Sequence, residues 1–380
     1  MKPLVSGPEA KRFQEPETDT YLLFPYRVDA AGVRLWTPDE MVARFPRAWA
    51  YLRSFEPDLR ARESDAFDDD GWYRFGRNQN IDKQELAKLF VAQTVPSLRV
   101  FFDHRGLFYA NNVRVNCILP EADSWFLTGV LNAPAADLIF KWIAKPKANN
   151  YFEANKQFIA PLPIPSSDDA AAARTAEIAQ ALQAGYTRRR RLLTGLRERL
   201  ARLGQRVKRH EWLLPGVRSA AEIDAIPRPR MPVDERRALS NRLYKEEIEA
   251  ALARIDDLIR LDSSFEAMFD DGELRFLVDG AQIASGVYVD DVMGELLLAQ
   301  WEAVALQFEP KSKDDAKKLI DQLRKVSTEA TPELTRQIIE RQRELSDLSR
   351  TLVDLERELH ELTCRMYGLS AEERLLVEAR

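Results

Sequence analysis

The sequence predicts an α+β protein: a mixed α/β domain followed by long antiparallel, coiled-coil-like helices that carry a small β insertion. Three observations lead there. Up to about Pro165, short apolar and aromatic runs alternate with turn signals. Beyond Pro161-Leu162-Pro163-Ile164-Pro165, which no helix passes through, apolar residues recur at helical spacing over long tracts. Two of those tracts are separated by a stretch with Asp-Gly turns. The division expected is 1–165 for the mixed domain, 166–262 for a helical spacer, 263–310 for the insertion and 311–380 for a C-terminal helix packing on the spacer.

Within the first region, Tyr21-Leu22-Leu23-Phe24 reads as a buried strand closed by Pro25. Leu98 to Phe102 and Leu107 to Tyr109 read as a hairpin across Asp103-His104-Arg105-Gly106, and Val113 to Ile118 as a further strand. Helices are expected over Pro38 to Phe55, with Met41, Phe45, Trp49 and Leu52 on one face, and over Ser124 to Ile143, with Phe126, Val130, Leu131, Leu138 and Trp142. In the second, Ser166 to Asp169 offer N-caps for a long helix whose residues Leu193, Leu196, Leu200, Leu203 and Val207 mark a seam. A second helix runs from Asp234 to Leu261. Leu345, Leu348, Leu352, Leu355, Leu359, Leu362 and Met366 alternate by three and four, so Pro332 to Tyr367 forms a helix roughly 50 Å long that Gly368 stops. Ser264 to Gly286 forms the β insertion.

Composition narrows the function. The chain has 380 residues, 56 basic and 61 acidic, with 45% hydrophobic residues, as a globular protein does. Met1 to Gly7 holds no apolar run of signal-peptide length, and no stretch approaches the roughly 20 apolar residues that span a bilayer, so a cytoplasmic location without membrane contact is expected. Cys117 and Cys364 are too far apart in sequence and context to organise a disulfide framework or a zinc site. No Gly-x-Gly loop and no phosphate-cradling Gly-x-x-x-x-Gly-Lys-Ser/Thr occurs. His104, His210 and His360 suggest no metal cluster and no catalytic group. Glu9-Ala10-Lys11 lacks the upstream acid a metal-dependent nuclease needs, and Asp68-Asp69-Asp70-Gly71 fits a solvated turn better than a cation site. No catalytic residue, metal or cofactor is therefore assigned to this chain.

What remains points to an anionic partner. Although the net charge is −5, Arg188 to His210 contains ten basic residues and one acid. Arg188, Arg189, Arg190 and Arg191 could meet a duplex backbone or form the solvated flank of a seam. Gly71 to Asn80 combines Arg74 and Arg77 with Asn78, Gln79 and Asn80: arginine reads guanine edges and side-chain amides read adenine, but the same residues fit a polar turn anchored by Trp72. Lys145, Lys147 and Lys156 offer phosphate contacts beside Asn149 and Asn150 as base readers, or a loop closed by aromatic packing; Arg99 is a further phosphate candidate.

Taken in order, these segments resemble the TaqI-like C-terminal specificity domain of adenine-specific DNA methyltransferases and fused type IIG restriction-modification enzymes. The likeness rests on Lys2 to Gly7, Tyr21 to Tyr26, Trp72-Tyr73 with Gly76-Arg77-Asn78-Gln79, Leu131-Asn132, and Tyr151-Phe152-Glu153 through Pro165. Met366-Tyr367-Gly368-Leu369-Ser370 with Glu372-Glu373 resembles the terminus of such enzymes. The family's catalytic domain has an Asn-Pro-Pro-Tyr tetrad and a cofactor-binding glycine loop, whereas this sequence has no Pro-Pro pair. The resemblance implies a target-recognition and spacer part that binds double-stranded DNA and positions an adenine-specific methyltransferase or restriction subunit, with S-adenosylmethionine on that partner, in restriction-modification or phage defence. The alternative is a structural adaptor that binds protein through its coiled-coil helices without touching DNA.

Overall fold

Leu89-Phe90-Val91-Ala92 has no polar side chain, so a strand there is stable only with both faces covered. The computed structural model describes all residues except 78–79, 122, 167, 205–206, 209–213, 215, 227–229, 262, 312–313 and 379–380, and it places Lys88–Ala92 at the centre of an antiparallel sheet between Val100–Asp103 and Val115–Ile118. Leu89 lies opposite Phe102 on one side and Ile118 on the other. Phe90 and Phe101 stack with centroids 4.8 Å apart in a core that also takes in Val5, Val100 and Phe140. Lys88, 1% exposed, opens this strand. Its ammonium donates to the carbonyls of Gln84 (2.6 Å) and Leu86 (3.2 Å) and to Asp103 Oδ2 (3.3 Å), so a buried charge has its full set of acceptors.

The expected hairpin across Asp103 to Gly106 does not form. The turn is present, but Val100–Asp103 pairs with Lys88–Val91, while Tyr109–Ala110 pairs in parallel with Leu4-Val5. Asp103 decides this: its carboxylate accepts from the amides of Leu107 (3.0 Å) and Phe108 (2.9 Å), turning the chain away from its own strand. Gly106 completes the turn at φ +64, where a Cβ would lie 2.0 Å from Glu85 O. Tyr21–Leu22 is the outer strand of that second sheet, and Tyr21 is 53% exposed rather than buried, because an outer strand leaves one face to solvent. The strand expected from Val113 begins at Val115; Val113 and Arg114 belong to the preceding loop.

Proline divides both helices expected in this region. Pro46 separates Pro38–Arg44 from Pro46–Arg53, and Pro134 separates Ser124–Leu131 from Pro134–Ile143, since proline has no amide to donate and its ring clashes with the preceding turn. Met41 and Trp49 are buried as the periodicity requires; Phe45, at the break, and Trp142 are exposed.

The fold is α+β, with several small sheets and long helices. It divides into two compact units, Met1–Thr187 with Leu352–Arg380, and Arg188–Thr351. These boundaries fall inside the helices Asp169–Leu200 and Pro332–Met366 rather than at Pro165. The helix ends at Leu200, beyond which Leu203 still packs on the seam's cluster, and Val207–Lys208 is instead a short strand paired with Lys325–Val326. In the second unit Leu192, Leu196 and Leu200 are buried in one cluster with Ile338, Leu345 and the helix Asp291–Ala305. The insertion is a meander, Phe265–Asp270, Glu273–Val278 and Ala281–Tyr288, with Asp271-Gly272 and Asp279-Gly280 in left-handed turns, and its Phe276 packs on buried Trp301. The second long helix is Val233–Leu258.

Three buried side-chain amides each pair with both backbone groups of one residue. Asn132 accepts from Val100 N (2.9 Å) and donates to Val100 O (2.9 Å); Gln183 does the same to Phe102 (2.8 Å each way); Gln300 does so to Ser327 (2.9 Å each way). Asn132→Leu keeps the shape but strands Val100 N, at about 1–3 kcal/mol, and leaves Val100 O with Phe13 N alone (2.9 Å). A loss of about 1–3 kcal/mol in urea denaturation is expected, and a loss under about 0.5 kcal/mol would show that the edge does not depend on the amide.

Glu302 accepts from Gln342 Nε2 (2.7 Å) and Ser346 Oγ (2.8 Å), yet burial raises its carboxyl above the ordinary 4.5. A raised native pKa means the folded state keeps a proton that the unfolded chain has released, so this group's contribution is full at acid pH and is lost as pH climbs through the carboxyl range. Glu302→Gln should therefore gain stability relative to wild type between about pH 4 and about pH 7; a pH-independent difference contradicts this.

Candidate nucleic-acid interface

The segment from Gly71 is anchored by its aromatic residues. Trp72 and Tyr73 are buried with Met41 and Trp49, and the Trp49 and Tyr73 rings meet edge to face at 5.1 Å. Tyr73 Oη donates to Trp36 O, and Phe75 N donates to Tyr26 Oη at 2.7 Å. Arg62 gathers the backbone beneath, donating to the carbonyls of Leu59 (2.9 Å), Trp72 (2.7 Å) and Arg74 (3.0 Å) while its guanidinium covers the Phe67 ring.

Arg74 is held within this loop. Its guanidinium pairs with Asp69, donates to Ala66 O (3.2 Å) and also lies over Phe67. That guanidinium and the Gly71 amide hold the Asp69 carboxyl below its ordinary range. Arg77 is exposed and makes no hydrogen bond or ion pair with a described residue. Asn80 is exposed at φ 59, opening the turn Ile81–Lys83. Asn78 and Gln79 lie outside the described residues.

The lysine cluster forms a backbone-bonded hairpin. Lys147 N donates to Tyr151 O (2.7 Å) and Glu153 N to Lys145 O (2.9 Å), and between them Asn149 and Asn150 take φ 60 and 56. Two successive left-handed residues close a tight hairpin, and asparagine tolerates that conformation. Residues 145 to 150 are all exposed, and Lys147 pairs with Glu153 at 3.1 Å. Phe152–Glu153 then pairs with Thr94–Val95, and Lys156, exposed, begins the turn Lys156–Ile159.

This pairing brings in a loop that sequence reasoning missed. Gln93 O accepts from Ala154 N (2.9 Å), Gln93 N donates to Arg114 O (2.9 Å), and Gln93 Nε2 donates to Asn112 O (3.0 Å). Asn116 Nδ2 donates to Ala154 O at 2.8 Å. Asn112 to Arg114, all exposed, are thus joined to the backbone that carries the lysine hairpin. The Asn111-Asn112 turn signal was the available clue. The two loops together present Arg114, Lys145, Lys147 and Lys156 with Asn112, Asn149, Asn150 and Gln157, and Glu153 is their one acid. Among the described residues, no hydrogen bond or ion pair joins this surface to the segment from Gly71. Arg99 is half-buried, with Nε on Ser97 Oγ at 3.1 Å.

In the second unit, Arg188 pairs with Glu344 at 2.7 Å, and the charge of Arg189 acts on Glu302. Arg190 is half-buried and Arg191 exposed. Part of the basic run therefore meets acids of its own unit. Arg206, Arg209 and His210 lie outside the described residues.

Other reactive groups singled out in the sequence have local partners among the described residues. Glu9 accepts from Ser6 N (2.8 Å), Asp68 pairs with Arg60, and His104 packs against Phe102 and Trp125. Cys364, His360 and Glu378 contain the residue types of a hydrolytic triad, with Sγ 3.6 Å from His360 Nδ1 and Nε2 3.5 Å from Glu378. The thiol, however, is buried and burial raises its pKa, the reverse of an activated nucleophile. Among the described residues, no group of three His, Cys, Asp or Glu side chains is placed to hold a metal. No helix among them is long and apolar enough to cross a membrane. The chain matches no protein-family model, and no curated protein is significantly similar to it.

Arg62→Ala leaves three carbonyls without their donor. Amide exchange across 71–77 should accelerate about tenfold to a hundredfold, from about 1–3 kcal/mol of lost hydrogen bonding, while Leu89 to Val91 stay protected. Equal acceleration in both segments would mean that Arg62 supports the whole unit rather than this loop.

Proposed function

We propose that the protein is a DNA sequence-specificity module that positions an adenine-specific methyltransferase or restriction partner carrying S-adenosylmethionine. The observation that carries this reading is the surface formed by the two loops, where four cations and four exposed amides stand beside a single carboxylate that is itself paired with Lys147. Cations neutralise phosphates and side-chain amides hydrogen-bond base edges, so this combination suits a duplex groove. The resemblance to TaqI-like specificity domains agrees with it.

Lys145, Lys147, Lys156 and Arg99 are the phosphate contacts of this proposal, and Asn149, Asn150, Arg77, Asn78, Gln79 and Asn80 its base readers. Arg74 supports Arg77 by fixing the loop. In the second unit Arg190 and Arg191 are separate phosphate candidates; Arg188 and Arg189 could serve only in competition with Glu344 and Glu302. The adaptor reading has less to draw on, because the leucines of its helical seam are buried against their own unit. The reading places the protein in the cytoplasm, in restriction-modification or phage defence.

A gel-shift titration over a salt series tests it. Duplex affinity should fall steeply with salt, and Lys145→Ala or Lys156→Ala should each flatten the slope by about one while weakening all sequences alike. Arg77→Ala should instead reduce discrimination between target and non-target duplex. Absence of salt-sensitive duplex binding would favour the adaptor.

A further inference from the structure

Val113 is 74% exposed, yet it is not on a loose loop. Asn111 holds it from within the turn: Asn111 O accepts from Arg114 N (2.8 Å) and Val115 N (3.0 Å), and Asn111 Oδ1 accepts from Val113 N (3.3 Å). Asn111 is itself tied to the sheet, with its amide on Val5 O (2.9 Å) and its Nδ2 on Ser6 Oγ (3.1 Å). Gln93 holds the carbonyls on either side of Val113, those of Asn112 and Arg114. An isolated exposed valine is ordinary on a protein surface. This one is on a turn whose flanking backbone is held by Asn111 and Gln93, with an amide before it and a guanidinium after it in the chain.

We infer that Val113 is a specificity-determining residue that reads the 5-methyl group of a thymine in the major groove, an inference resting on the duplex-binding reading above. The thymine methyl is the one apolar feature on a base-pair edge there, and an apolar side chain is what recognises it. A β-branched residue suits the task because its two methyl groups are stiff about χ1 and keep a fixed direction. The bracing means little ordering entropy is lost on contact. Asn112 and Arg114, the exposed residues on either side, favour a polyanion with polar edges over an apolar protein face, which would leave the Arg114 guanidinium desolvated.

The test takes the full chain, selects bound duplexes from a random pool, and replaces each thymine of the recovered site in turn with deoxyuridine, which lacks only the methyl group. At one position, wild type should lose about fourfold in affinity, the worth of one buried methyl-sized group. Val113→Ala should lose a similar factor on the thymine site and be indifferent to deoxyuridine at that position alone. Because the side chain is exposed, the variant should fold as wild type does, and its melting temperature checks this. A recovered site without thymine, or losses from Val113→Ala and deoxyuridine that simply multiply, overturns the assignment while leaving duplex recognition intact. Failure to bind any duplex in a salt-sensitive way overturns both.

Discussion

A buried backbone N–H or C=O without a partner costs about 1–3 kcal/mol, and small sheets concentrate that cost at their edges. In the first unit the edge strand Val100–Asp103 meets it with side chains: Asn132 and Gln183 pair with Val100 and Phe102, alternate residues of the strand, as a neighbouring strand would. Phe13 N adds a further bond to Val100 O. Ser327 in the second unit receives the same treatment from Gln300. An amide is the side chain that can do this, since it carries a donor and an acceptor side by side in the backbone's own geometry.

Closing that edge ties the sheet to the rest of the first unit. Asn132 ends the helix Ser124–Leu131, and Gln183 lies on the helix Asp169–Leu200. Arg12 donates to Asn132 O and pairs with Glu356, which also accepts from Tyr186 (2.8 Å). With the opposite strand, Val115–Ile118, held by Lys88–Ala92, the loops leaving the sheet start from fixed points. The backbones of the turn at Asn111 and the hairpin at Asn149 are hydrogen-bonded from there, so both loops leave the sheet along set paths.

The same folding sorts the cations into two groups. Arg62, Arg74, Lys88 and Arg188 are engaged by carbonyls or carboxylates of their own unit. Arg77, Arg114, Lys145 and Lys156 are exposed. A charge met by a neighbouring acid contributes little to an external field, while an exposed one acts over about 8–10 Å at physiological salt. Glu344 meets Arg188, so a charge tally along the chain overstates what that residue presents to solvent. Surface potential depends on which charges pair.

Much of the architecture was legible in the sequence because it is local. The three-and-four leucine spacing marks Pro332–Met366 almost to the residue, the Asp-Gly pairs mark the meander's turns, and the prolines at 161–165 precede the long helix. Helix periodicity, turn chemistry and proline sterics all act within a few residues. Lys145, Lys147, Asn149 and Asn150 were legible for the same reason, being neighbours in one hairpin. Only the tertiary structure decided that Asp103 breaks the expected hairpin, that Asn132 and Gln183 replace a strand, that Arg188 faces Glu344, and that Asn112 to Arg114 join the lysine hairpin through Gln93. Each of these joins residues through hydrogen bonds or charges that become strong only once water is excluded and distant segments are packed together, and residue spacing carries no record of that.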